Sequence, residues 1–277
     1  MWCKALVSVA IFLFYLIPFI SSQECNMSSE EVPIRNVLIV VAMEAEAAPF
    51  VEHLKLDKNV DFFPPQVPFE AFSGEHEGCK LTVVTSGKDS VYGTGVDNVG
   101  TVPASLVTFL SLQKDSTFDM VLNAGTCGGF QRKGAAIGSV FLTSAVVNHD
   151  RRIPIPPFVP YGIGKLPSIP TPKLAALYSF STGICTSGNS LDKTVEDDDA
   201  MLAQEASVKD MEAAAVAWSC ALFQKPYLGI KVVTDIVDGD RPTHEEFMEN
   251  LGTAAKSLQT ALPQVLDHVC GRLPSDL

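Results

Sequence analysis

Three acidic residues stand where apolar segments of the sequence begin or end. Glu46 follows the apolar run at 36–43, Glu212 opens a stretch of small and apolar residues, and Asp235 closes the run at 227–235. Burial disfavours the charged form of a carboxyl group and raises its pKa, which suits a group that exchanges protons near neutral pH. If the fold brings these three groups together, they indicate acid–base catalysis at one site.

A structural explanation competes with a catalytic one for part of this set. An acidic residue at a helix N-terminus is stabilised by the helix dipole. This accounts for Glu44 at the strand-to-helix junction and for a tolerated charge at Glu212. Glu46 lies deeper in its helix turn, and both explanations stay open there. Asp235 has no such explanation, because no cation neighbours it in the sequence. Asp238, which precedes a glycine, is interpreted as part of a turn.

Other kinds of chemistry find little support. The glycine-rich stretch 123–130 lacks the spacing of nucleotide-binding motifs and is interpreted as a tight turn after a strand. No GxSxG motif supports a serine nucleophile, and Cys127 is interpreted as an inert buried thiol. The cysteines form no CxxC pair and the histidines no HxH or HExxH pattern. Neither a disulfide framework nor a metal site is therefore predicted.

The composition bounds the size of the core and the class of partner. Hydrophobic residues make up 47% of the 277 residues, enough for one large domain or two small ones. The 20 basic residues are outnumbered by 32 acidic ones, which gives a net charge of −12. No cluster of basic residues is present, so nucleic acid and anionic membranes are not expected as partners.

Residues 1–22 have the pattern of a signal peptide or an N-terminal hydrophobic extension. Lys4 precedes an apolar run at 5–20, and small residues follow up to Ser22. This is the order found in secretory signals. Cleavage near Ser22 would direct the chain to the secretory pathway and leave a glycosylation sequon at Asn26.

A second interpretation of the N-terminus stays open. A chain that starts at Met27 would lack the apolar run and would be cytoplasmic. In either case residues 23–35 are predicted to be a linker, and residues 36–277 are predicted to form the folded domain.

The chain after residue 36 alternates between strand-like and helix-like patterns. Continuous apolar, β-branched runs are typical of strands that are buried on both faces. Alternation with helices predicts an α/β fold with a largely parallel sheet between helices. The predicted strands are 36–43, 80–87, 119–125, 138–150, 181–188 and 227–235, and the predicted helices are 44–54, 100–113, one opened by Glu212, and one from Thr243 to about Gly271.

Sheets of this kind bind ligands at the carboxyl ends of their strands. The proline-rich segment 151–172 is predicted to be a long ordered loop, and such loops are often functional. The last helix opens with a capping-box pattern at 243–246 and carries Pro263, where we expect a kink. The strand-end rule selects the segments 43–46, 86–95, 123–129 and 234–240.

Seven motifs, in order, resemble the 5′-methylthioadenosine nucleosidases, in particular those of plants. The family belongs to the purine nucleoside phosphorylase-like superfamily. The resemblance therefore implies a three-layer α/β/α sandwich around a central mixed, largely parallel sheet, a homodimer, and no metal or organic cofactor. The motifs run from about residue 36 to the C-terminus: VAMEAEAAPF, GVDNVGTVPASLVT, NAGTCGGF, HDRRIPIPPF, SGNSLD, KDMEAAAVA and KVVTDIVDGDRPTHEEF.

The resemblance gives each carboxylate a role in hydrolysis of the N-glycosidic bond of 5′-methylthioadenosine. Glu46 takes the place of the residue that activates water for attack on the ribose. Asp235 takes the place of the acid that protonates adenine at N7, with Thr234 positioning it. Glu212 takes the place of the residue that binds the ribose hydroxyls, with Met211 packed on the sugar.

Further positions carry over from the same resemblance. Thr126 corresponds to a residue near the ribose and the water, Leu191 flanks adenine, and Met43 lines the substrate site. The segment that contains Pro157 and Phe158 approaches the alkylthio pocket, partly across the dimer.

Two alternatives stay open within this fold. Phosphorylases of the superfamily need a basic phosphate site, whereas Lys88 after the TSG turn is interpreted as solvated, so water is favoured as the nucleophile. Secreted storage proteins share the fold but have no need of the three carboxylates, so the presence of these carboxylates favours an enzyme.

Asn189 departs from the family pattern, in which many members carry aspartate. Cleavage of S-adenosylhomocysteine is left open by the motifs.

Overall fold

Strand β1 (Asn36–Val41) lies at the centre of the fold, with both of its faces buried. Val37 and Ile39 belong to one hydrophobic core, and Leu38 and Val40 belong to another. Side chains alternate between the two faces of a strand, so an unbroken apolar run requires cover on both sides. The prediction of a doubly buried strand here is confirmed.

A computed structural model describes residues 31–277. The predicted signal segment 1–22 and the sequon at Asn26 lie outside the described residues and stay predictions. Residues 32–277 form one compact unit. Ile34 is fully buried and its N–H donates to the carbonyl of Arg272, so this unit extends N-terminally beyond residue 36.

The elements of the sheet and its covering helices follow in chain order. The further strands are β2 (Asp57–Lys58), β3 (Glu70–His76), β4 (Cys79–Thr85), β5 (Met120–Gly129), β6 (Val140–Asn148), β7 (Leu166–Pro167), β8 (Ser181–Ser187), β9 (Ala206–Asp210) and β10 (Tyr227–Ile236). The α-helices are α1 (Glu44–His53), α2 (Thr101–Lys114), α3 (Val159–Ile163), α4 (Pro172–Tyr178), α5 (Val195–Ala203), α6 (Ala213–Leu222) and α7 (Thr243–Val269).

The sheet is mixed, with the order β10-β6-β8-β9-β5-β1-β4-β3-β2. Parallel pairs join β1 to β4 and β5, β5 to β10, and β8 to β6 and β9. Strand β5 also pairs antiparallel with β9, so β5, β10, β6, β8 and β9 close into a ring. Helices α1, α4 and α7 cover one face, and α2 and α6 cover the other. The three-layer α/β/α prediction is confirmed.

The glycine-rich stretch 123–130 was expected to be a turn after a strand, and that prediction is wrong. Strand β5 continues to Gly129, and Gly128 pairs with Lys209 of β9 and Asp235 of β10. A Cβ atom on Gly128 would lie 2.7 Å from Asp235 Oδ2 and 2.6 Å from Val237 Cγ2. Glycine is therefore needed here for close strand packing rather than for a turn.

Several elements went unpredicted because their patterns are polar or short. Strand β9 carries Lys209 and Asp210, which are buried charges in an otherwise short strand. Strand β3 is only half-buried and forms a hairpin with β4. Its turn residues, Glu77 and Gly78, both have positive φ, as tight hairpins require. The unpredicted elements are β2, β3, β7, β9, α3, α4 and α5.

The loop and the last helix each need a correction. The segment 151–172 is not a simple loop, because it contains a 3₁₀ turn (Pro156–Phe158), α3 and β7. Helix α7 begins after Pro242, and no side-chain bond caps it, so the capping-box prediction is wrong. Glu246 instead accepts a hydrogen bond from the N–H of Ile236 at 2.9 Å. The helix continues through Pro263 to Val269.

Within residues 31–277, no helix combines the length and apolar character needed to cross a bilayer.

Candidate active site

The C-terminal ends of β1, β5, β9 and β10 border a cleft of about 250 Å³. This is where ligands bind in open α/β sheets. Pro157, Phe158 and Asn189 are not among the residues that line the cleft within one chain. All eight residues of the predicted site do line it: Met43, Glu46, Thr126, Leu191, Met211, Glu212, Thr234 and Asp235.

Glu46 lies in the first turn of α1 and is 4% exposed. Its Oε1 accepts hydrogen bonds from the N–H and the hydroxyl of Thr126, both at 2.7 Å. Its Oε2 receives only a long contact of 3.4 Å from the N–H of Met43. Burial raises the pKa of Glu46, although the bonds from Thr126 favour its charged form. One carboxylate oxygen is thus fixed, and the other can accept a further hydrogen bond.

Unlike Glu46, Glu44 is exposed and lies outside the cleft. Its side chain is 60% exposed and forms an ion pair with Lys88 at 3.0 Å. Lys88 is itself half-exposed and also contacts Asp97 at 2.9 Å. Glu44 does not line the cleft. These contacts agree with the interpretation of Lys88 as solvated, and the place of Glu44 in the first turn of α1 agrees with the helix-dipole explanation.

Asp235 lies near the end of β10, where the register with β5 shifts. Thr234 Oγ1 is 2.7 Å from Asp235 Oδ1 and 3.1 Å from the carbonyl oxygen of Cys127. Burial raises the pKa of Asp235, and the Thr234 bond opposes that rise. A carboxyl group that holds its proton more tightly in this position is suited to act as an acid.

Glu212 is the N-terminal capping residue of α6 by position, but its carboxylate does not cap that helix. Its Oε1 accepts from the N–H of Gly100, at the start of α2, at 2.8 Å. Asp210 caps α6 instead, because its Oδ2 accepts from the N–H of Ala213 at 2.8 Å. The carboxylate that caps the N-terminus of α6 is therefore that of Asp210, and not that of Glu212 as the helix-dipole explanation assumed. Burial and the neighbouring Asp210 carboxylate raise the pKa of Glu212 to about 7.

A buried ion pair beneath Glu212 was not predicted. Lys231, in the middle of β10, is 1% exposed and lies 2.7 Å from Asp210 Oδ2. Ser187 donates to Asp210 Oδ1 at 2.5 Å. Burial acts to raise the pKa of Asp210, but Lys231 and these hydrogen bonds lower it overall. A lysine inside the apolar run GIKVV was the signal, because a buried charge requires a partner.

Lys209 is the second cation that sequence reasoning missed. It lines the cleft, is 6% exposed, and donates to the carbonyls of Ser190 and Leu191, each at 2.8 Å. Its positive charge acts on Asp235. Asp235 has no cationic neighbour in sequence, but the antiparallel β5–β9 pairing brings Lys209 towards it in space.

The described residues offer little support for metal-dependent or thiol chemistry. Between residues 31 and 277, no three His, Cys, Asp or Glu side chains are grouped so that they could hold a metal ion. Burial raises the pKa of the Cys127 thiol well above its usual value. A thiol in this state is a poor nucleophile, which agrees with the interpretation of Cys127 as inert.

Comparisons with known proteins agree with the fold. Residues 36–267 match the family model of the phosphorylase superfamily. The chain is 43% identical to a 5′-methylthioadenosine/S-adenosylhomocysteine nucleosidase of Arabidopsis thaliana, over 90% of this chain and 97% of that protein. It is 44% identical to a 5′-methylthioadenosine nucleosidase of the same plant, over 93% and 96% of the two chains.

A solved structure gives the same result. The apo structure of Arabidopsis thaliana 5′-methylthioadenosine nucleosidase superposes with a TM-score of 0.86 at 44% identity, covering 88% of this chain and 100% of that one. The superfamily model spans most of the chain. Within that superfamily, the chain belongs to the 5′-methylthioadenosine nucleosidase family.

The Asp210–Lys231 pair leads to a prediction about stability. Lys231→Met should lower the free energy of unfolding by about 3–5 kcal/mol, because it leaves the buried Asp210 carboxylate without its partner. Urea denaturation at pH 7 measures the change. The matched control is Lys88→Met, which removes only exposed ion pairs and should cost less than about 1 kcal/mol. Equal losses in the two variants would contradict the assignment.

Proposed function

We propose that this protein hydrolyses the N-glycosidic bond of 5′-methylthioadenosine to release adenine and 5-methylthioribose. The observation that carries this proposal is the meeting of Glu46, Asp235 and Glu212 in one cleft. Burial raises the pKa of each of the three carboxyl groups. The two Arabidopsis relatives support it, because the name of each includes 5′-methylthioadenosine as substrate.

The geometry suits a division of work between an acid and a base. Thr126 fixes one oxygen of Glu46, and the other can accept a proton from a water that attacks the anomeric carbon. Asp235 donates its proton to N7 of adenine, so the base leaves neutral while the glycosidic electron pair moves onto it. Thr234 then stabilises the Asp235 carboxylate by donating a hydrogen bond. Holding these groups in place lowers the entropic part of the barrier.

Glu212 is proposed to bind the two ribose hydroxyls. Its Oε1 is oriented by the N–H of Gly100, and Met211 beside it lines the cleft. A carboxylate accepts hydrogen bonds from both hydroxyls of a diol, whereas a protonated carboxyl group has less acceptor capacity. Ribose binding should therefore depend on the charge of Glu212.

Water is preferred to phosphate as the nucleophile because the lysines that line the cleft already have partners. Lys231 is paired with Asp210, Lys193 with Asp198, and Lys209 with two carbonyls. A phosphorylase needs an unpaired cationic site that binds the phosphate dianion. Because the cleft lysines are paired, a purine nucleoside phosphorylase is the second candidate. An idle storage protein would have no need of the aligned carboxylates.

We further infer a role in methionine salvage, since the sugar product retains the methylthio group.

Catalytic roles for Glu46 and Asp235 give the first functional prediction. Asp235→Asn and Glu46→Gln should each lower kcat for adenine release by about 10²–10⁴-fold, because each loses its proton-transfer group. Glu46→Gln should keep most of its substrate affinity. Glu44→Gln is the matched control and should retain turnover within about twofold, since Glu44 is solvated. Near-normal turnover of Asp235→Asn would overturn the mechanism.

The pKa of Glu212 gives a prediction about pH. Because this pKa is about 7, the group is charged above pH 7 and becomes protonated as the pH falls. The Glu46→Gln background turns over slowly and lowers the pKa of Glu212, because the Glu46 carboxylate no longer raises it. There, affinity for 5′-methylthioadenosine should fall by up to about tenfold per pH unit once the pH is below the pKa of Glu212, relative to affinity for adenine. Isothermal titration from pH 5.5 to 8.5 measures both. A constant ratio, or the same slope in Glu212→Gln, would refute the role.

A homodimer is proposed from an apolar face on α2 and α6, named here the α2–α6 face. Val102, Leu106, Trp218 and Leu222 are each about half-exposed or more on these helices. Monomeric proteins seldom expose a large contiguous apolar patch. The same patch on two copies can meet across a two-fold axis, as the family resemblance implies.

The α2–α6 face predicts an oligomeric state. The wild type should sediment at twice the chain mass, and Trp218→Glu should dissociate it by placing a charge in the interface. Val60→Glu changes an apolar residue that is also exposed but lies on neither helix, and it should remain dimeric. A monomeric wild type, or a dimeric Trp218→Glu, would contradict the proposal.

The compartment is proposed on the sequence of residues 1–22 alone. If this segment acts as a signal, the mature chain begins near Ser22 and enters the secretory pathway. N-terminal sequencing of the native protein distinguishes this from a cytoplasmic chain that begins at Met27.

A further inference from the structure

Lys209 occupies an unusual position for a lysine. It stands near the end of β9, paired with Thr186 of β8 on one side and with Gly128 of β5 on the other. It is 6% exposed, whereas lysine is almost never buried without a partner. Burial disfavours the charged ammonium group and lowers the pKa of Lys209. Polar neighbours are therefore needed to stabilise its charge. No role in the proposed reaction has been given to it so far.

The ammonium group of Lys209 binds the backbone of a neighbouring loop. It donates to the carbonyls of two consecutive residues, Ser190 and Leu191, each at 2.8 Å. This loop joins β8 to α5 and has no helix or strand of its own. Leu191, which is half-exposed, lines the cleft. Lys209 therefore sets the distance between this loop and the sheet.

Other contacts hold the ends of this loop but not its centre. At its start, the N–H of Asn189 donates to Asp150 Oδ2 at 2.7 Å. At its end, Lys193 is paired with Asp198 at 2.6 Å. Between them, the carbonyls of residues 190 and 191 are held by Lys209.

Acidic groups surround Lys209 from several elements. Asp235 on β10 favours its charge most, followed by Asp210 on β9, Asp192 in the loop and Asp197 on α5. The positive charge of Lys209 in turn disfavours the protonated form of His149, which directly follows β6. Four carboxylates therefore favour the charge of Lys209, although burial outweighs them and lowers its pKa.

Asp235 is faced by fewer charged groups. Burial raises its pKa, and Lys209 is the cation that acts to lower it. The carboxylate of Glu246, on α7, acts in the opposite direction. The Cys127 thiol of β5 also senses the charge of Asp235 but stays neutral, because burial raises its own pKa.

We propose that Lys209 is a positioning residue for the reaction, which holds the loop at Ser190 and Leu191 against the adenine ring and stabilises the carboxylate that Asp235 becomes. The proposal rests on the proposed function. When Asp235 gives its proton to the base, a negative charge appears on a carboxylate that the ammonium of Lys209 acts on electrostatically. Attraction between the two favours the transfer, while the two carbonyl bonds keep Leu191 in contact with the departing base.

The test uses the full chain with Lys209→Met and Lys209→Arg. Lys209→Met should weaken adenine binding by about tenfold, as expected when buried hydrogen bonds to a charged donor are lost. It should also move the alkaline limb of the kcat/KM profile to higher pH, because Asp235 then loses its proton less readily. Lys209→Arg keeps the charge and should leave this limb near its wild-type position. Amide hydrogen exchange at residues 189–193 should be faster in Lys209→Met.

A matched control separates this role from simple loss of a lysine. Lys225 also donates to a backbone carbonyl, that of Ser116 at 2.8 Å, but it does not line the cleft. Lys225→Met should leave adenine affinity and the pH profile unchanged. Thermal unfolding of each variant shows that it is folded before its kinetics are read.

The outcomes distinguish failure of this inference from failure of the proposed function. Wild-type adenine affinity and an unmoved alkaline limb in a folded Lys209→Met would overturn the role of Lys209 alone. An alkaline limb moved equally in Lys209→Met and Lys209→Arg would show that its charge does not act on Asp235. A wild type that releases no adenine would overturn the proposed function, while the exchange rates at 189–193 would still decide whether Lys209 holds the loop.

Discussion

The site depends on the burial of two opposite charges, one on β9 and one on β10. Lys231 and Asp210 are both almost fully buried and lie 2.7 Å apart. Neither could remain charged there without the other. Asp210 also caps α6 and accepts a hydrogen bond from Ser187 of β8. One carboxylate thereby joins two strands and a helix, and it fixes the backbone from which Glu212 extends.

The same burial tunes the groups proposed to react. Removal of water raises the pKa of Glu46, Glu212 and Asp235, each by an amount that its own hydrogen bonds moderate. Thr126 holds Glu46, Gly100 holds Glu212, and Thr234 holds Asp235. Under the proposed function, one kind of functional group, the carboxyl group, serves as acid, base and diol ligand, because each carboxyl group has a different neighbour.

The sequence predicted the carboxylates and the long apolar strands but not the cations between them. Runs such as NVLIVV can only be doubly buried strands, and Glu46 and Asp235 are visible because they interrupt apolar segments. Lys209 and Asp210 lie in a five-residue strand without an apolar pattern, so β9 went unpredicted. The contact of Lys209 with the Leu191 carbonyl depends on the parallel β8–β9 pairing. The approach of Lys209 to Asp235 depends on the β5–β9 pairing, which links residues 79–81 positions apart. Local patterns carry no information about such pairings.

The central claim is that these buried carboxylates direct water to the anomeric carbon. Its most direct test is adenine release from 5′-methylthioadenosine in phosphate-free buffer made with ¹⁸O-labelled water, with the sugar product analysed by mass spectrometry before label can exchange. The account predicts full turnover without phosphate and one ¹⁸O atom in 5-methylthioribose. Turnover that requires added phosphate and yields a sugar 1-phosphate would contradict it.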